Sequence, residues 1–429
     1  SAVVVFIIFA ICLVIAIPIS ISLGIVAVLP GAFDASFTAS AGYVIRSMVG
    51  GIDSFPLLAV PMFVLAGILM AHGKISEKLF DVFVYFLGNK RAGIPCAVII
   101  TCLFYGAISG SAPATVAAVG SMTIPLLIEL GYEKDFSTAI VAVAGGLGVI
   151  IPPSIPFIMY AMATGESVSD LFLAGIVPGM MISALLIFYA YYYCRRHGED
   201  REKIQAKMGQ LKAKGFFNIL KESIWALLSP VIVLGCIYTG VASPTEAAVI
   251  SVFYSLFVSL FIYRSIKVKQ IWGIMVEAMK TYAPILFILA TSTAFSRVLT
   301  LMQVPQDVSA WIMTHFSNEI VLLLVINVVL LIVGMVMDTT PAILILSPIL
   351  LPIVEHVGMN PIHFGVMVIV NLAVGFVTPP VGVNLFVASS LTNVPMMQIA
   401  KKAMPMIGYF MLALLLITFI PAISLCLLS

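Results

Sequence analysis

The chain has 429 residues, of which 62% are hydrophobic and 9% charged, and its formal net charge is +2. Soluble domains carry about 25% charged residues, so water is excluded as the main solvent, and so small a net charge gives no indication of a nucleic-acid partner. The six cysteines (Cys12, Cys96, Cys102, Cys194, Cys236, Cys426) are scattered without Cys-x-x-Cys spacing. No zinc, phosphate-loop or nucleophile-elbow pattern occurs, so nothing points to a membrane enzyme.

Uncharged stretches recur from the start, and the first, Ala2 to Leu29, is long enough to cross a hydrocarbon core of about 30 Å. It lacks a small-residue cleavage site and is read as a retained helix. Ser76 to Asn89 carries mixed charge with apolar residues at helical spacing, as do Ile266 to Lys280 and Val304 to Phe316; all three read as interfacial helices. Between Arg91 and Glu129 there is no charge, yet Gly106-Ala-Ile-Ser109-Gly110-Ser111-Ala-Pro113 divides the run. Halves of about 12 to 17 residues reach only about 18 to 25 Å, which predicts a re-entrant hairpin rather than two crossings. A long apolar segment follows, broken at Gly145-Gly-Leu-Gly148-Val-Ile-Ile151-Pro152-Pro153.

The basic interval Arg195 to Lys221 reads as the one linker, and basic loops mark the cytoplasmic face. Threading from it places Lys74, Lys78, Lys90, Arg91, Lys134, Arg264, Lys267, Lys269, Lys280, Lys401 and Lys402 on that face, with Arg46 and Arg297 opposed. Ser243-Pro-Thr-Glu246 reads as a capping box, a structural feature. A second hairpin is predicted over Glu319 to Glu355, divided at Gly334-Met-Val-Met337-Asp338-Thr-Thr-Pro341, and a second broken helix at Gly375-Phe-Val-Thr378-Pro379-Pro380. No Lys or Arg lies between Arg297 and Lys401, so this hairpin enters from the other face. His72, His197, His315, His356 and His363 read as boundary anchors or solvent-exposed residues rather than ligands.

An internal repeat supports the pairing. At an offset of 227, Pro125 meets Pro352, Gly131 meets Gly358, Gly148 meets Gly375, Pro152-Pro153 meets Pro379-Pro380 and Pro178 meets Pro405; at 228, Gly106 meets Gly334 and Pro113 meets Pro341. Proline has no N–H, so each break frees a carbonyl four residues earlier: Gly148, Gly375, Ser109 and Met337. Paired breaks at membrane depth point to a transporter site, and neutral oxygens of this kind suit Na⁺. Ser109, Ser111, Thr378 and Thr339 or Thr340 add side-chain oxygens, while helix N-termini near Pro113 and Pro341 favour an anion. Arg297 and Asp338 are charges within apolar surroundings. They read either as substrate contacts or as a salt bridge joining helices.

The runs Gly106-Ala-Ile-Ser-Gly-Ser-Ala-Pro-Ala-Thr-Val-Ala-Ala-Val-Gly120, Gly148-Val-Ile-Ile-Pro-Pro-Ser154, Ala242-Ser-Pro-Thr-Glu-Ala-Ala248 and Thr378-Pro-Pro-Val-Gly-Val-Asn384 resemble the large membrane subunit of tripartite ATP-independent periplasmic (TRAP) transporters over essentially the whole chain. The first hairpin is most similar to those of sialic-acid transporters. The resemblance implies an all-α polytopic membrane protein of two inverted repeats, each with a re-entrant helical hairpin and a broken transmembrane helix, working as an elevator-type transporter. It implies Na⁺ as the coupling ion, held at Gly106, Ser109, Gly148, Ile151 and Pro153 and at Gly334, Gly375, Thr378 and Val381, with Met337 added by its freed carbonyl.

Expected substrate contacts are Ser109, Ser111, Arg297, Asp338 and Asn384. Scaffold and arm helices are expected over 1–90, transport-domain halves over 91–168 and 319–392, and a C-terminal helix over 393–429. The remainder, 169–318, would hold further scaffold and arm helices, linker 195–222 and a transport-associated helix 281–302. Expected partners are a small four-helix membrane subunit and a periplasmic substrate-binding protein, both as separate polypeptides, and a small carboxylate. The protein would sit in the bacterial inner membrane with a cytoplasmic N-terminus and periplasmic C-terminus. A stand-alone sodium/dicarboxylate symporter, a passive channel and a scaffolding subunit are the alternatives.

Overall fold

A computed structural model describes residues 2–15, 17–33, 37–213, 215–315 and 318–428, and among these the chain is helical with no strand. Nine helical segments among the described residues are long and apolar enough to cross a membrane. Exposed Ile320, Val328 and Ile332 on one of them are what a lipid-facing surface requires.

The opening stretch forms two helices, α1 (Ala2–Val14) and α2 (Ile19–Phe33), not the single one expected. Pro18 is the reason: it disfavours helix at Ile17 and is tolerated just before the first turn of α2. Next come α3 (Ala41–Ile52), capped by the Ser40 hydroxyl, then α4 (Ala59–His72) behind a 3-10 turn, and α5 (Ile75–Leu87), the first expected interfacial helix, which buries Leu79 and Phe80. The first hairpin is α6 (Gly93–Ser109) and α7 (Ala112–Glu129). The broken helix follows as α8 (Lys134–Ala144), a 3-10 turn Gly145–Val149 and α9 (Ile155–Thr164), whose first turn is capped by Ser154. After them run α10 (Val168–His197), α11 (Arg201–Ala213), α12 (Phe216–Tyr238) and α13 (Pro244–Phe257), the last opening on the expected Ser243–Glu246 capping box.

The second half continues with α14 (Val268–Leu301), α15 (Val304–His315), the hairpin α16 (Glu319–Val336) and α17 (Thr339–His356), the broken helix α18 (Pro361–Gly375) and α19 (Val383–Thr392), then α20 (Met396–Phe419) and α21 (Ala422–Leu425). Adding 227 to the starts of α6 to α10 (93, 112, 134, 155, 168) gives 320, 339, 361, 382 and 395, against observed starts of 319, 339, 361, 383 and 396. The matched residues also share roles. Pro125 and Pro352 lie inside α7 and α17, Pro178 and Pro405 inside α10 and α20, and Gly131 and Gly358 both adopt positive φ, at 92° and 85°. Both Pro-Pro bonds, 152–153 and 379–380, are cis.

The two halves interlock. Helix α7 packs on α19 and α9 on α17, with α10 and α20 against the bundle, while α4 packs on α13, α14 on α2 and α3, and α5 on α12. Buried Asn371 donates to the Asn327 backbone and side-chain oxygens at 2.9 Å, and Asn327 donates onward to Thr418 at 3.3 Å, joining α16, α18 and α20.

Two further expectations fail here. Ile266 to Lys280 is not a separate interfacial helix but the first part of α14, a helix of 34 residues that carries Pro284 inside it. His363 is no boundary anchor; it is fully buried, with Nε2 3.4 Å from the Thr418 carbonyl, because the repeat places its turn against α20. The expected linker is structured. Helix α11 buries Ile204 and Met208, and the Glu199 carboxylate, 2% exposed, accepts from the Ala92 N–H at 3.0 Å, the Tyr132 hydroxyl at 2.6 Å and Arg201 at 3.0 Å. A polar interval looks like a linker by composition, but here its charge satisfies the start of α6. The last residue of the third interfacial stretch, Phe316, and the side chain of His315 lie outside the described residues.

Glu199→Ala removes charge-assisted hydrogen bonds at once and is expected to cost about 2 kcal/mol, read as a lower unfolding temperature in detergent; an unchanged temperature would show that the clamp contributes nothing. A second contact is set by pH. The Lys402 ammonium bonded to Glu133, helped by the Tyr193 hydroxyl and opposed by partial burial, holds that carboxyl below its ordinary range in the loop before α8. A depressed carboxyl stabilises the fold above its unfolded value of about 4.5 and loses that contribution as pH falls through the folded value. Acid titration of Lys402→Met should therefore show a weaker loss of stability below about pH 4.5 than the parent; identical acid profiles would exclude the contact.

Candidate substrate and cation site

Each hairpin tip meets the break of its own half through glycine. A Cβ built on Gly106 would lie 2.6 Å from Gly148 Cα, and one on Gly148 would lie 2.5 Å from Thr115 Oγ1 and 2.8 Å from the Ser111 carbonyl oxygen. In the second half a Cβ on Gly375 would lie 2.5 Å from the Gly334 carbonyl carbon. Backbone thus touches backbone at Gly106–Gly148 and at Gly334–Gly375, contacts that only glycine permits. Each crossing is also tied by a hydrogen bond: the Ile155 N–H donates to the Gly110 carbonyl at 3.3 Å, and the Val381 N–H to the Met335 carbonyl at 3.2 Å.

Among the described residues no hydrogen bond reaches the carbonyls of Ser109, Gly148 or Met337. The fourth expected oxygen behaves differently: the Gly375 carbonyl accepts from the Thr378 N–H at 3.1 Å in a tight turn, and the Thr378 hydroxyl donates to the Val374 carbonyl at 2.8 Å. Gly106 O accepts from the Gly110 N–H at 2.9 Å. Ile151 and Pro153 are buried beside the first tip, whereas Val381 is exposed beside the second. The described residues bring together no group of three His, Cys, Asp or Glu able to hold a metal ion. What the crossings offer is neutral oxygen, the donor set of a hard monovalent cation.

The first tip is knitted by hydroxyls. Ser109 Oγ lies 2.9 Å from Thr115 Oγ1, which donates to the Ser111 carbonyl at 2.8 Å. Ser109 and Ser111 line a cavity of about 420 Å³ with Tyr105, Gly67, Glu277 and Thr281. Arg297 lines a different cavity, of about 290 Å³, with Gly50, Ser54, Thr293 and Ser296. Asp338 is exposed at the second tip, where it caps α17 by accepting from the Thr339 N–H at 2.8 Å. Arg297 and Asp338 form no ion pair with each other among the described residues. Asn384 is fully buried and donates to the Ala142 carbonyl at 3.0 Å, linking α19 to α8 of the other half.

Ser109 and Ser111 therefore line one cavity and Arg297 another, while Asp338 and Asn384 line neither. Sequence reasoning missed Thr115, Gly67 and Glu277. Thr115 was within reach, since it follows Ser111 by one helical turn inside a quoted motif. Gly67 and Glu277 carried no local signal.

Gly148→Ala and Gly375→Ala should each destabilise the fold by about 1 to 3 kcal/mol, since backbone blocks the added methyl. Gly408→Ala, in α20 with nothing within 4 Å of the added atom, is expected to be neutral or mildly stabilising. Thermal unfolding in detergent separates the three; equal stabilities would refute the close crossings.

The chain resembles known proteins over its full length. The family described as "Tripartite ATP-independent periplasmic transporter, DctM component" matches residues 6–423. An isethionate TRAP transporter permease protein, DctMQ, of Oleidesulfovibrio alaskensis is 43% identical over 97% of this chain, which spans 64% of that relative's length. The C4-dicarboxylate TRAP transporter large permease protein DctM of Pseudomonas aeruginosa is 39% identical, covering 87% of this chain and 86% of its own. The 2,3-diketo-L-gulonate large permease YiaN of Escherichia coli is 36% identical, with 88% and 87% covered. In fold the chain is similar to the Alcanivorax borkumensis YdaH transporter at a TM-score of 0.63 and 15% identity, covering 93% of this chain and 96% of that one. It is likewise similar to Neisseria gonorrhoeae MtrF at a TM-score of 0.64 and 14% identity, with 93% of each covered.

Proposed function

We propose, from the premise that this chain belongs to the family of tripartite ATP-independent periplasmic transporters as their DctM component, that it carries a small organic acid into the cell coupled to Na⁺. Membership makes it a multi-pass membrane transport protein and not an enzyme. The observation that carries the coupling is the pair of glycine crossings, where among the described residues no hydrogen bond reaches the Ser109, Gly148 and Met337 carbonyls. One Na⁺ would be held by Gly106, Ser109, Gly148, Ile151 and Pro153, and another by Gly334, Met337, Gly375, Thr378 and Val381.

In this reading the halves are inverted, and the hairpins with their broken helices move as an elevator against a scaffold of the outer helices. The unequal packing of the halves supports it: α17 lies against α14, while the first tip borders the larger cavity. The acid would meet Ser109 and Ser111 at the first tip and Arg297 and Asp338 nearer the other face, and Asn384 would hold the two broken helices in register beside it. The inner membrane, a cytoplasmic N-terminus and a periplasmic C-terminus follow from the basic residues. A small membrane subunit and a periplasmic binding protein would complete the system. The names of the relatives favour short acids such as isethionate, C4-dicarboxylates and diketogulonate; sialic acid, favoured by the first hairpin, stays in the panel to be tested.

Proteoliposomes holding the permease with both partners should accumulate one of these acids only under an inward sodium gradient. Uptake by this chain alone would replace the reading with a stand-alone symporter, and flux indifferent to sodium would replace it with a channel. Arg297→Glu should abolish uptake in a protein that still folds; near-normal uptake would remove Arg297 from the substrate path.

A further inference from the structure

The cavity beside the first tip and the cavity beside Arg297 share three pairs of repeat-related lining positions. A shift of 227 takes Gly50 to Glu277, Ser54 to Thr281 and Ala117 to Leu344, and all six residues line one or the other. Along α4 and α14 the correspondence is of segments only: the shift carries 64–71 onto 291–298 of α14, which holds Thr293, Ser296 and Arg297, but pairs none of the lining residues there. The two cavities thus share three repeat-related pairs of lining residues, and their charges are opposite. Among the described lining residues the charged group is Glu277 in the first and Arg297 in the second.

Glu277 stands where its counterpart has no side chain, and the fold holds it there. Its Oε2 lies 2.9 Å from His72 Nε2, across from α14 to α4, and as a carboxylate can only accept, the ring nitrogen donates. About half of each side chain is exposed. The pair also borders a neighbouring cavity with Ser265 and Gln270, and His72 borders a third with Lys74 and Ser121, so it stands where the first cavity opens toward the basic face. Lys280, one turn along α14, is exposed and outside the cavity lining, and Lys74 lies 4.0 Å from Glu77.

We propose that Glu277 is the release determinant of the transport cycle, a fixed negative charge that lowers the affinity for an organic acid in the cavity beside the first hairpin. This rests on the acid-transport reading above. A carboxylate facing a carboxylate across a partly solvated cavity weakens binding by about 3- to 10-fold once screening is counted. Arg297, which lines the other cavity at a position not repeat-related to Glu277, has the opposite effect, so the two chambers bind one anion unequally. Glu277 therefore biases where the acid leaves without touching the cation sites.

Two readouts test this. In a background lacking the six native cysteines, Thr281→Cys is labelled with an anionic and with a cationic methanethiosulfonate, and the ratio of the two rates reports the local field. Glu277→Gln should raise the anionic-to-cationic ratio about 3- to 10-fold. Glu277→Asp and His72→Gln, which keep the carboxylate, should leave it near the parent value. In proteoliposomes with both partner proteins, Glu277→Gln should lower the KM for efflux of succinate or isethionate by the same factor and leave the external KM unchanged. An unmoved thiol ratio in Glu277→Gln, an equal rise in His72→Gln, or an unchanged efflux KM in an active protein overturns the proposal. A shifted ratio in a parent protein that carries no acid overturns the acid-transport reading instead.

Discussion

Backbone at membrane depth must find its hydrogen-bond partners within the protein, and this chain meets that constraint by crossing backbone on backbone. Gly106 lies on Gly148 and Gly334 on Gly375, at distances that leave no room for a methyl group. A side chain at Gly106, Gly148 or Gly375 would part the tip from the break, and with it the hydrogen bonds from Ile155 to Gly110 and from Val381 to Met335. The hairpins, the long helices α10 and α20 that brace them, and the buried Asn327–Asn371 pair all serve to hold these crossings in register. Freed carbonyls are then a product of the geometry, since proline removes the donor and the crossing excludes lipid.

Much of this was legible in residue order because glycine and proline act on the backbone directly, wherever the rest of the chain lies. Hairpin ends, helix breaks and the 227-residue register all follow from those two residue types, and the observed starts of α16 to α20 fall within one residue of the shifted first half. Side-chain partnerships across long separations were not legible. Glu277 meets His72 over 205 residues, and Asn384 meets Ala142 over 242. How the linker is held was not legible either, because polarity says that a segment is wet and not what anchors it, and Glu199 anchors it. Helix α14 was misjudged for a related reason: charges near its start resemble an interfacial segment, yet the helix continues through Pro284 into the apolar part without a break.

The halves are alike in plan and unlike in detail. Hydroxyls from Ser109 and Thr115 furnish the first tip, whereas the second presents the Asp338 carboxylate as a helix cap and leaves Val381 exposed. Repetition supplies two crossings of backbone on backbone, which under the proposed coupling would each hold a cation without a particular side chain. Divergence at the tips and in the cavities then distinguishes one end of the path from the other.

Glu277 and Arg297 are carried by the same helix, 20 residues apart, so about 30 Å of helix separates them, close to the thickness of a hydrocarbon core. Helix α14 is in that sense a ruler: it sets the span between the two chambers in a single piece. One residue inserted or deleted between them would turn the far end by about 100° and swing one of the two charges out of its chamber. Loops elsewhere in the molecule can vary in length, but this interval cannot.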